Sequence, residues 1–330
     1  MELKFINEGN RVQLHPDCKE AVAGLSPWHR HAVFHRVCQQ VYQSRGAAPA
    51  PADSDLSVRG VDVLRQCLST DDAGRISNQI TATLEALGPN AGAHGPVSDD
   101  PGLTITDVPI EGGLRDSLRE CLPLLLNSRT EQLLESYYGS YFQIYSALAY
   151  RTHANETHIG SFLWHRDVAP MAQVHLILYL TESGPETGAT MVLDFAQTTR
   201  AAVIGYHYEG LDERIKDIEE IFTETGTDPS ISCPDLQPGD GLVFSAARAL
   251  HRGSLPKTGY RDTFTLVLLP SLVPWRQDIE EFGDDHIFGR KFYRTLETDP
   301  FQALSPAVPI RPGDKLSFDE QWVLAGHMFP

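Results

Sequence analysis

Three side chains in this 330-residue chain are of the types, and at the spacings, that bind a metal ion. His165 and Asp167 are separated by one residue, and His251 follows 84 positions after Asp167. Two imidazoles and one carboxylate can occupy one face of a divalent ion and leave the opposite positions open, as in mononuclear non-haem iron(II) centres. We therefore predict that these three residues bind ferrous iron.

His165 and Asp167 are expected to share one face of a strand. Alternate side chains of a β-strand point the same way, so a His-x-Asp pair forms a chelate without any special backbone conformation. The third ligand must come from elsewhere, because one strand cannot surround a metal ion. His251 is suited to this role, since it follows residues 236–244 (LQPGDGLVF), which predict a turn leading into an apolar strand.

An arginine follows the last candidate ligand by ten positions. Residues 256–259 (PKTG) permit a chain reversal, so residues 260–269 are expected to return as the strand next to that of His251. Arg261 would lie near the start of this strand and face the same pocket, and Thr263 would point the same way. A guanidinium is always charged and binds a carboxylate through two parallel hydrogen bonds, which lysine cannot match in geometry.

Over roughly residues 140–270 the chain resembles the Fe(II)/2-oxoglutarate-dependent dioxygenases, and within them the phytanoyl-CoA dioxygenase-like group. The interval between Asp167 and His251 is longer than in the plant-type oxidases, which favours this group. The motifs that carry the resemblance are Trp164-His165-Arg166-Asp167, Leu178–Glu182 with Gly188–Thr190, and Pro238–Asp240 continuing through His251 to Arg261.

The resemblance implies a double-stranded β-helix in which His165, Asp167 and His251 hold iron. It implies that Arg261 anchors the far carboxylate of 2-oxoglutarate, with help from Thr263, and that O2 is the second co-substrate. The expected activity is oxidation of a C–H bond of a small molecule by hydroxylation, desaturation, cyclisation or epoxidation, with specialised metabolism as the preferred setting. Because Asp167 is present, the chain does not resemble the halogenases of this superfamily, which carry Gly or Ala there.

Two other functions fit parts of the pattern. One is a cupin-like metal-binding protein without 2-oxoglutarate chemistry, and the other is a jelly-roll module that binds a sugar or another small ligand. Arg261 disfavours the first, because an unneeded buried arginine would carry a desolvation cost.

Arg166 alternates to the opposite face from its neighbours and receives no catalytic role. Arg248 and Arg252 could contact an anionic substrate, but ordinary ion pairs are the expectation, and His175 is expected to be a hydrogen-bonded structural residue.

Composition limits the partners and the compartment. The chain has 41% hydrophobic and 22% charged residues, enough apolar material for a folded core, and a net charge of −17 that disfavours nucleic acid and anionic membranes as partners. Its five cysteines are widely spaced, which indicates reduced thiols. The first residues lack the apolar core of a secretory signal, and no apolar run approaches the ~18 residues of a membrane span. We expect a cytoplasmic protein with a small-molecule substrate.

Helical patterns followed by short strands and Gly/Pro turns predict an α+β fold with a jelly-roll, cupin-like core and N-terminal helices packed on it. We expect a single domain, 1–330, with a mainly helical region 1–102, a double-stranded β-helix core 103–274 and an aromatic-rich extension 275–330. Helices are predicted from a Ser26 cap to Gly46, over Val58–Leu68, from Asp71 to Leu87 with Thr70 as the cap, and over Leu114–Leu126, Thr130–Tyr138 and Leu211–Phe222. Strands are predicted over Leu103–Val108, Tyr141–Thr152, Gln173–Leu180, Thr190–Phe195, Gly241–Phe244 and Thr263–Leu269.

Overall fold

The structure is a computed structural model that describes residues 2–3, 5–8, 11–46, 54–88, 105–223, 228–289, 294–301 and 316–317. The predicted C-terminal extension beyond residue 301 lies outside the described residues, apart from 316–317. In the described ranges the α-helices are α1 (Pro16–Ala23), α2 (Pro27–Ser44), α3 (Asp55–Arg59), α4 (Thr70–Leu87), α5 (Gly112–Leu125), α6 (Ser128–Tyr138), α7 (Phe195–Val203), α8 (Glu219–Thr223), α9 (Trp275–Phe282) and α10 (Asp285–Phe288). The strands in these ranges are β1 (Glu2–Leu3), β2 (Phe5–Glu8), β3 (Arg11–Leu14), β4 (Val61–Leu64), β5 (Ile105–Val108), β6 (Tyr141–His153), β7 (Val174–Tyr179), β8 (Thr190–Leu193), β9 (Ile231–Ser232), β10 (Gly241–Phe244), β11 (His251–Gly253), β12 (Tyr260–Ser271) and β13 (Leu316–Ser317).

Capping side chains set where the first long helices begin. Ser26 caps α2 as predicted, because its Oγ accepts a hydrogen bond from a backbone N–H of the first turn. In α4 the cap is Ser69 and not Thr70, so the helix begins one residue earlier than the sequence pattern indicated. Ile76 and Ile80 of α4 are fully buried in the main core. None of the helices in the described part of the chain combines the length and apolar character that a bilayer span requires.

The helix predicted over Val58–Leu68 is wrong. Only α3 is helical, and it ends at Gly60, whose φ of 82° is readily adopted only by glycine. Residues Val61–Leu64 then form β4, which pairs antiparallel with β10. A Cβ on Gly60 would lie 2.4 Å from the Phe195 ring, so the chain passes too close to α7 for any other residue. The region predicted to be mainly helical therefore contributes an edge strand to the main sheet.

Two antiparallel sheets form the core. The large sheet has the strand order β4-β10-β7-β12-β6-β5, and the small sheet has the order β11-β8-β9. An isolated bridge between His165 and His251 adds one more segment beside β11. From β6 to β12 the chain passes repeatedly between the two sheets, since β6, β7, β10 and β12 lie in the large sheet while the His165 segment, β8, β9 and β11 lie in the small one. This is the winding of a double-stranded β-helix, and the predicted α+β jelly-roll fold is confirmed.

The two faces of the large sheet have different chemistry. Along β12, Phe264, Leu266 and Leu268 belong to the main apolar core, which also contains buried residues of α4 and α5. Arg261 and Thr263 alternate with them and face the small sheet. The outer face thus provides the packing energy, while the inner face presents buried polar groups between the two sheets.

Two further local predictions need correction. His165 forms only an isolated bridge, so the strand expected to carry both His165 and Asp167 is not formed. The helix predicted over Leu211–Phe222 is replaced by a single 3-10 turn at Leu211–Glu213 and the short α8. This segment belongs to the long connection between α7 and β9, and its apolar residues pack beneath Trp164 without helical periodicity.

Candidate metal centre

His165, Asp167 and His251 come together at one point between the sheets. One donor atom from each side chain lies within 4.8 Å of the other two. Asp167 Oδ1 is 3.5 Å from His165 Nε2 and 3.8 Å from His251 Nε2, and the two imidazole ring centroids are 4.4 Å apart. The structure therefore brings together all three residues that the sequence indicated as metal ligands.

A pair of backbone hydrogen bonds places the two histidines side by side. The N–H of His165 donates to the His251 carbonyl at 3.0 Å, and the N–H of His251 donates back at 2.9 Å. Asp167 is held by its own backbone N–H, which donates to the Ala246 carbonyl at 3.1 Å. The convergence of His165 and Asp167 thus arises from bridging to the 245–251 segment, and not from a regular strand.

Hydrogen bonds to the backbone orient both imidazoles for metal binding. His165 Nδ1 lies 2.8 Å from the Leu163 carbonyl, and His251 Nδ1 lies 3.0 Å from the Ala249 carbonyl. Because a carbonyl oxygen only accepts, Nδ1 carries the proton in each ring and Nε2 keeps its lone pair. Both Nε2 atoms are the ones that approach Asp167, so the unprotonated nitrogens face the cluster.

The electrostatics of the cluster favour the metal-binding protonation states. Burial lowers the pKa of His251 to about 3, with the neighbouring His165 acting in the same direction. Burial would raise the pKa of Asp167, but the imidazoles of His165, His251 and His175 beside the carboxylate outweigh it and hold the pKa well below its usual range. At neutral pH the site therefore offers a neutral His251 and an ionised carboxylate, both of which are competent ligands.

Asp167 also has an unused oxygen. Its Oδ2 is buried and lacks a hydrogen-bond partner among the described residues. His175 Nε2 is 3.5 Å from this oxygen and 3.0 Å from Gln173 Nε2. His175 was expected to be a hydrogen-bonded structural residue, and it does hydrogen-bond with Gln173. It also faces the site, and strand alternation could have indicated this, because His175 pairs with Val267 on the inner face.

Arg261 lies on the inner face of β12, and only 6% of its surface is exposed. Its hydrogen bonds are long, 3.3 Å from Nη2 to Thr152 Oγ1 and 3.4 Å from Nη1 to the Ser254 carbonyl, and its Nε is buried without a partner. No carboxylate of the described residues lies within 4 Å of it, and burial lowers its pKa. A buried guanidinium with unused donors fits an organic carboxylate ligand.

The environment of Arg261 corrects one prediction and agrees with another. β12 was expected to neighbour the strand of His251, but it lies in the large sheet between β6 and β7, whereas β11 lies in the small sheet. Arg261 lies on the opposite wall, and its contact with Ser254 joins it to the residue directly after β11. Thr263 is 5% exposed and shares the inner face, as the alternation predicted.

The connection between α7 and β9 supplies residues near the metal site that the sequence pattern did not reveal. The Tyr206 hydroxyl donates to the Trp164 carbonyl at 2.7 Å, and the Trp164 N–H donates to the Ile215 carbonyl at 2.8 Å. Tyr208 donates to the Ala247 carbonyl at 2.9 Å. The connection is therefore attached to both segments that carry the candidate ligands, and an aromatic pair in an insertion was too weak a signal to indicate it.

Comparison with known proteins gave structural neighbours only. No family model matches the chain, and no curated protein matches it in sequence. Among solved structures, EctD from S. alaskensis with 2-oxoglutarate and 5-hydroxyectoine is 18% identical, with 68% of this chain and 78% of that chain covered and a TM-score of 0.45. The non-heme alpha-ketoglutarate-dependent carbocyclase SnoK from nogalamycin biosynthesis is 15% identical, with coverages of 81% and 98% and a TM-score of 0.47. The corresponding epimerase SnoN, from the same biosynthesis, is 16% identical, with coverages of 80% and 93% and a TM-score of 0.45. At these scores, the interpretation of the site depends on this chain's own side chains.

Proposed function

We propose that this chain is a non-haem Fe(II)- and 2-oxoglutarate-dependent oxygenase that acts on a C–H bond of a small organic molecule. His165, Asp167 and His251 would hold the iron, and Arg261 would bind the far carboxylate of 2-oxoglutarate with Thr263 beside it. With O2 as the oxidant and 2-oxoglutarate as the co-substrate oxidised to succinate and CO2, the bound metal would supply the oxidising chemistry, and the protein contributes orientation and the exclusion of water. Assignment to the phytanoyl-CoA dioxygenase-like group, and to specialised metabolism in the cytoplasm, stays a prediction.

The main support for this proposal is that Arg261 is buried without an acidic partner among the described residues. A three-donor cluster alone would serve a zinc or iron protein of any kind. Arg261 is an almost fully buried cation without a carboxylate partner in the described part of the chain, and its side chain occupies the inner face of the same barrel. Keeping such a charge desolvated costs several kcal/mol, which a bound dianion would offset. This observation favours an oxygenase over a metal-binding protein that ignores 2-oxoglutarate.

The residues around the cluster are already oriented for binding the metal and the carboxylate. The backbone bonds of His165 and His251 keep two imidazole nitrogens directed at one point, so that binding requires little rearrangement. Asp167 stays ionised at neutral pH because the histidines favour its charged form. Thr152 of the neighbouring strand β6 pairs with Arg261, Thr263 lies two residues further along β12, and both offer hydroxyl groups to a carboxylate.

The test is succinate formation from 2-oxoglutarate under air, with and without added Fe(II). We expect iron-dependent succinate production even without the substrate, at a slow uncoupled rate. Asp167→Ala should lower both iron content and succinate formation by more than about 100-fold, because it removes a direct ligand. The matched control is His153→Ala, which alters an exposed histidine at the end of β6 and should leave both unchanged.

Two results would overturn the assignment. Iron binding without any conversion of 2-oxoglutarate would support the cupin-like alternative. Full activity of folded Asp167→Ala protein would show that the three residues are not the ligands.

A further inference from the structure

The arginine inside the His-x-Asp motif has an unusual environment. Arg166 lies between two candidate ligands, and only 5% of its surface is exposed. Its Nε donates to the Ala247 carbonyl at 2.9 Å, and its guanidinium carbon lies 4.2 Å from the centre of the Tyr208 ring. Within the described residues no carboxylate approaches it within 4 Å. The motif pattern assigned it no function, yet a buried cation without a counter-charge is costly.

A second arginine, Arg248, directly follows Ala247, whose carbonyl accepts the Arg166 hydrogen bond. Arg248 is half-buried, its guanidinium carbon lies 4.0 Å from the centre of the Phe195 ring, and its Nη1 is 3.5 Å from the Tyr137 hydroxyl. The ion pair that was expected for Arg248 is not formed with any acidic group in the described ranges. Cation–π contacts stabilise a guanidinium by roughly 0.5–2 kcal/mol and do not neutralise it.

The two arginines belong to one cluster. Arg166 Nε donates to the carbonyl of Ala247, the residue directly before Arg248, and the Tyr208 hydroxyl donates to the same carbonyl at 2.9 Å. Burial raises the pKa of Tyr208 to about 12, and the charges of Arg166 and Arg248 both oppose this rise. The edge of the Trp28 ring contacts Tyr208 at a centroid distance of 5.8 Å. Two cations without a carboxylate partner among the described residues therefore lie next to aromatic rings, in a chain of net charge −17.

This cluster is close to the metal centre but separate from Arg261. The loop after β10 holds both features, because the Ala246 carbonyl accepts from the Asp167 N–H and the Ala247 carbonyl accepts from Arg166. Arg261 approaches from the large sheet, on the opposite wall.

We propose that Arg166 and Arg248 form a second anion site, which binds a carboxylate or phosphate group of the organic substrate and holds it beside the metal centre. That the bound anion is a substrate rests on the proposed oxygenase function. The anion site itself depends only on the two arginines. An oxyanion between them would accept hydrogen bonds from both guanidinium groups, and the rings of Tyr208, Phe195 and Trp28 would pack against the adjoining carbon skeleton. The substrate class is therefore an organic acid or phosphate ester.

Calorimetric titration tests the site with three probes of similar size: benzoate, phenyl phosphate and neutral benzamide. The protein is saturated with Fe(II) and 2-oxoglutarate in the absence of O2, so that Arg261 is occupied. We expect at least one oxyanion to bind, with benzamide at least 10-fold weaker. Preference between benzoate and phenyl phosphate distinguishes a carboxylate from a phosphate ester as the natural group.

Substitutions locate the binding. Arg166→Gln and Arg248→Gln should each weaken oxyanion binding at least 10-fold, and the half-buried Arg248 provides the second variant if the first does not fold. The matched control is Arg252→Gln, which also adjoins His251 but stacks on Trp164 and lies near Asp217. This control should leave probe binding unchanged. Unchanged binding in both Gln variants, or binding of none of the oxyanions to the wild-type protein, would overturn the proposal.

A parallel titration separates this inference from the proposed function. Arg261→Gln protein without iron or 2-oxoglutarate should bind the preferred oxyanion as tightly as the loaded wild type. Retained anion binding together with no succinate formation in the wild type would refute the oxygenase proposal alone. Succinate formation without oxyanion binding would refute the second anion site alone.

Discussion

Replacing Arg261 with methionine should separate ligand binding from fold stability. Methionine keeps much of the length and apolar volume of the side chain but removes the charge. In the structure Arg261 makes only two long hydrogen bonds, to Thr152 and Ser254, and leaves Nε unpaired. The matched control is Arg151→Met on β6. Arg151 is equally buried but grips Asp262 through two hydrogen bonds of 2.7 Å.

The expected magnitudes are opposite for the two arginines. Loss of the two long bonds of Arg261 costs at most about 1 kcal/mol each, and relief of an unpaired buried charge offsets it, so the free energy of unfolding of the metal-free protein should change by less than about 1 kcal/mol. Loss of Arg151 leaves the fully buried Asp262 uncompensated and should cost roughly 3–5 kcal/mol. Removing one partner of a buried charge pair costs roughly 2–5 kcal/mol of binding free energy. Arg261→Met should therefore increase the dissociation constant of 2-oxoglutarate by a factor between about 30 and several thousand.

Two measurements check these values. Urea unfolding of the metal-free proteins gives the change in stability, and anaerobic calorimetry with Fe(II) gives the 2-oxoglutarate affinity. Iron affinity of Arg261→Met should stay within a few-fold of wild type, because Arg261 does not contact the ligand cluster. The reasoning fails if Arg261→Met destabilises the fold as much as Arg151→Met does, or if its affinity for 2-oxoglutarate is unchanged.

The remaining predictions concern the scaffold. Gly239→Ala should lower the free energy of unfolding in urea by roughly 3 kcal/mol, because φ is 95° and a Cβ would lie 2.3 Å from the Leu68 carbonyl oxygen. The control Gly205→Ala, where φ is 99° and the added Cβ meets no atom within 4 Å, should lower it by only about 1 kcal/mol. Equal losses in the two variants would contradict the steric explanation. Hydrogen bonds from Arg119 lower the pKa of Asp284 to about 2, so its contribution is fully present above about pH 4 and disappears as the pH falls through about 2. Asp284→Asn should therefore be less stable than wild type by roughly 1–2 kcal/mol at pH 7 after allowance for solvent screening. This difference should shrink as the pH falls below about 4 and vanish only below about pH 2 in denaturant titrations, and a constant difference would exclude the ion-pair origin.

Local chemistry made several elements predictable. The Ser26 cap of α2 and the shared face of Arg261 and Thr263 on β12 depend on residues close in the chain, and both are observed. The helix prediction over Val58–Leu68 is wrong because a local pattern of apolar residues does not distinguish one helix from a short helix followed by an edge strand. The conformation of Gly60 and the pairing of β4 with β10 decided the outcome.

The sequence by itself determined which donors are available for chemistry: two imidazoles, one carboxylate and a guanidinium with the correct alternation on its strand. Only the tertiary structure decided that His165 and His251 share a bridge, that Arg261 lies on the opposite wall, and that Arg151 has a buried acid while Arg166 and Arg261 have none in the described residues. The physical reason is that covalent spacing sets the direction of neighbouring side chains. Pairing of remote segments depends instead on how the two sheets bury their apolar faces, and this sets which charges remain unpaired.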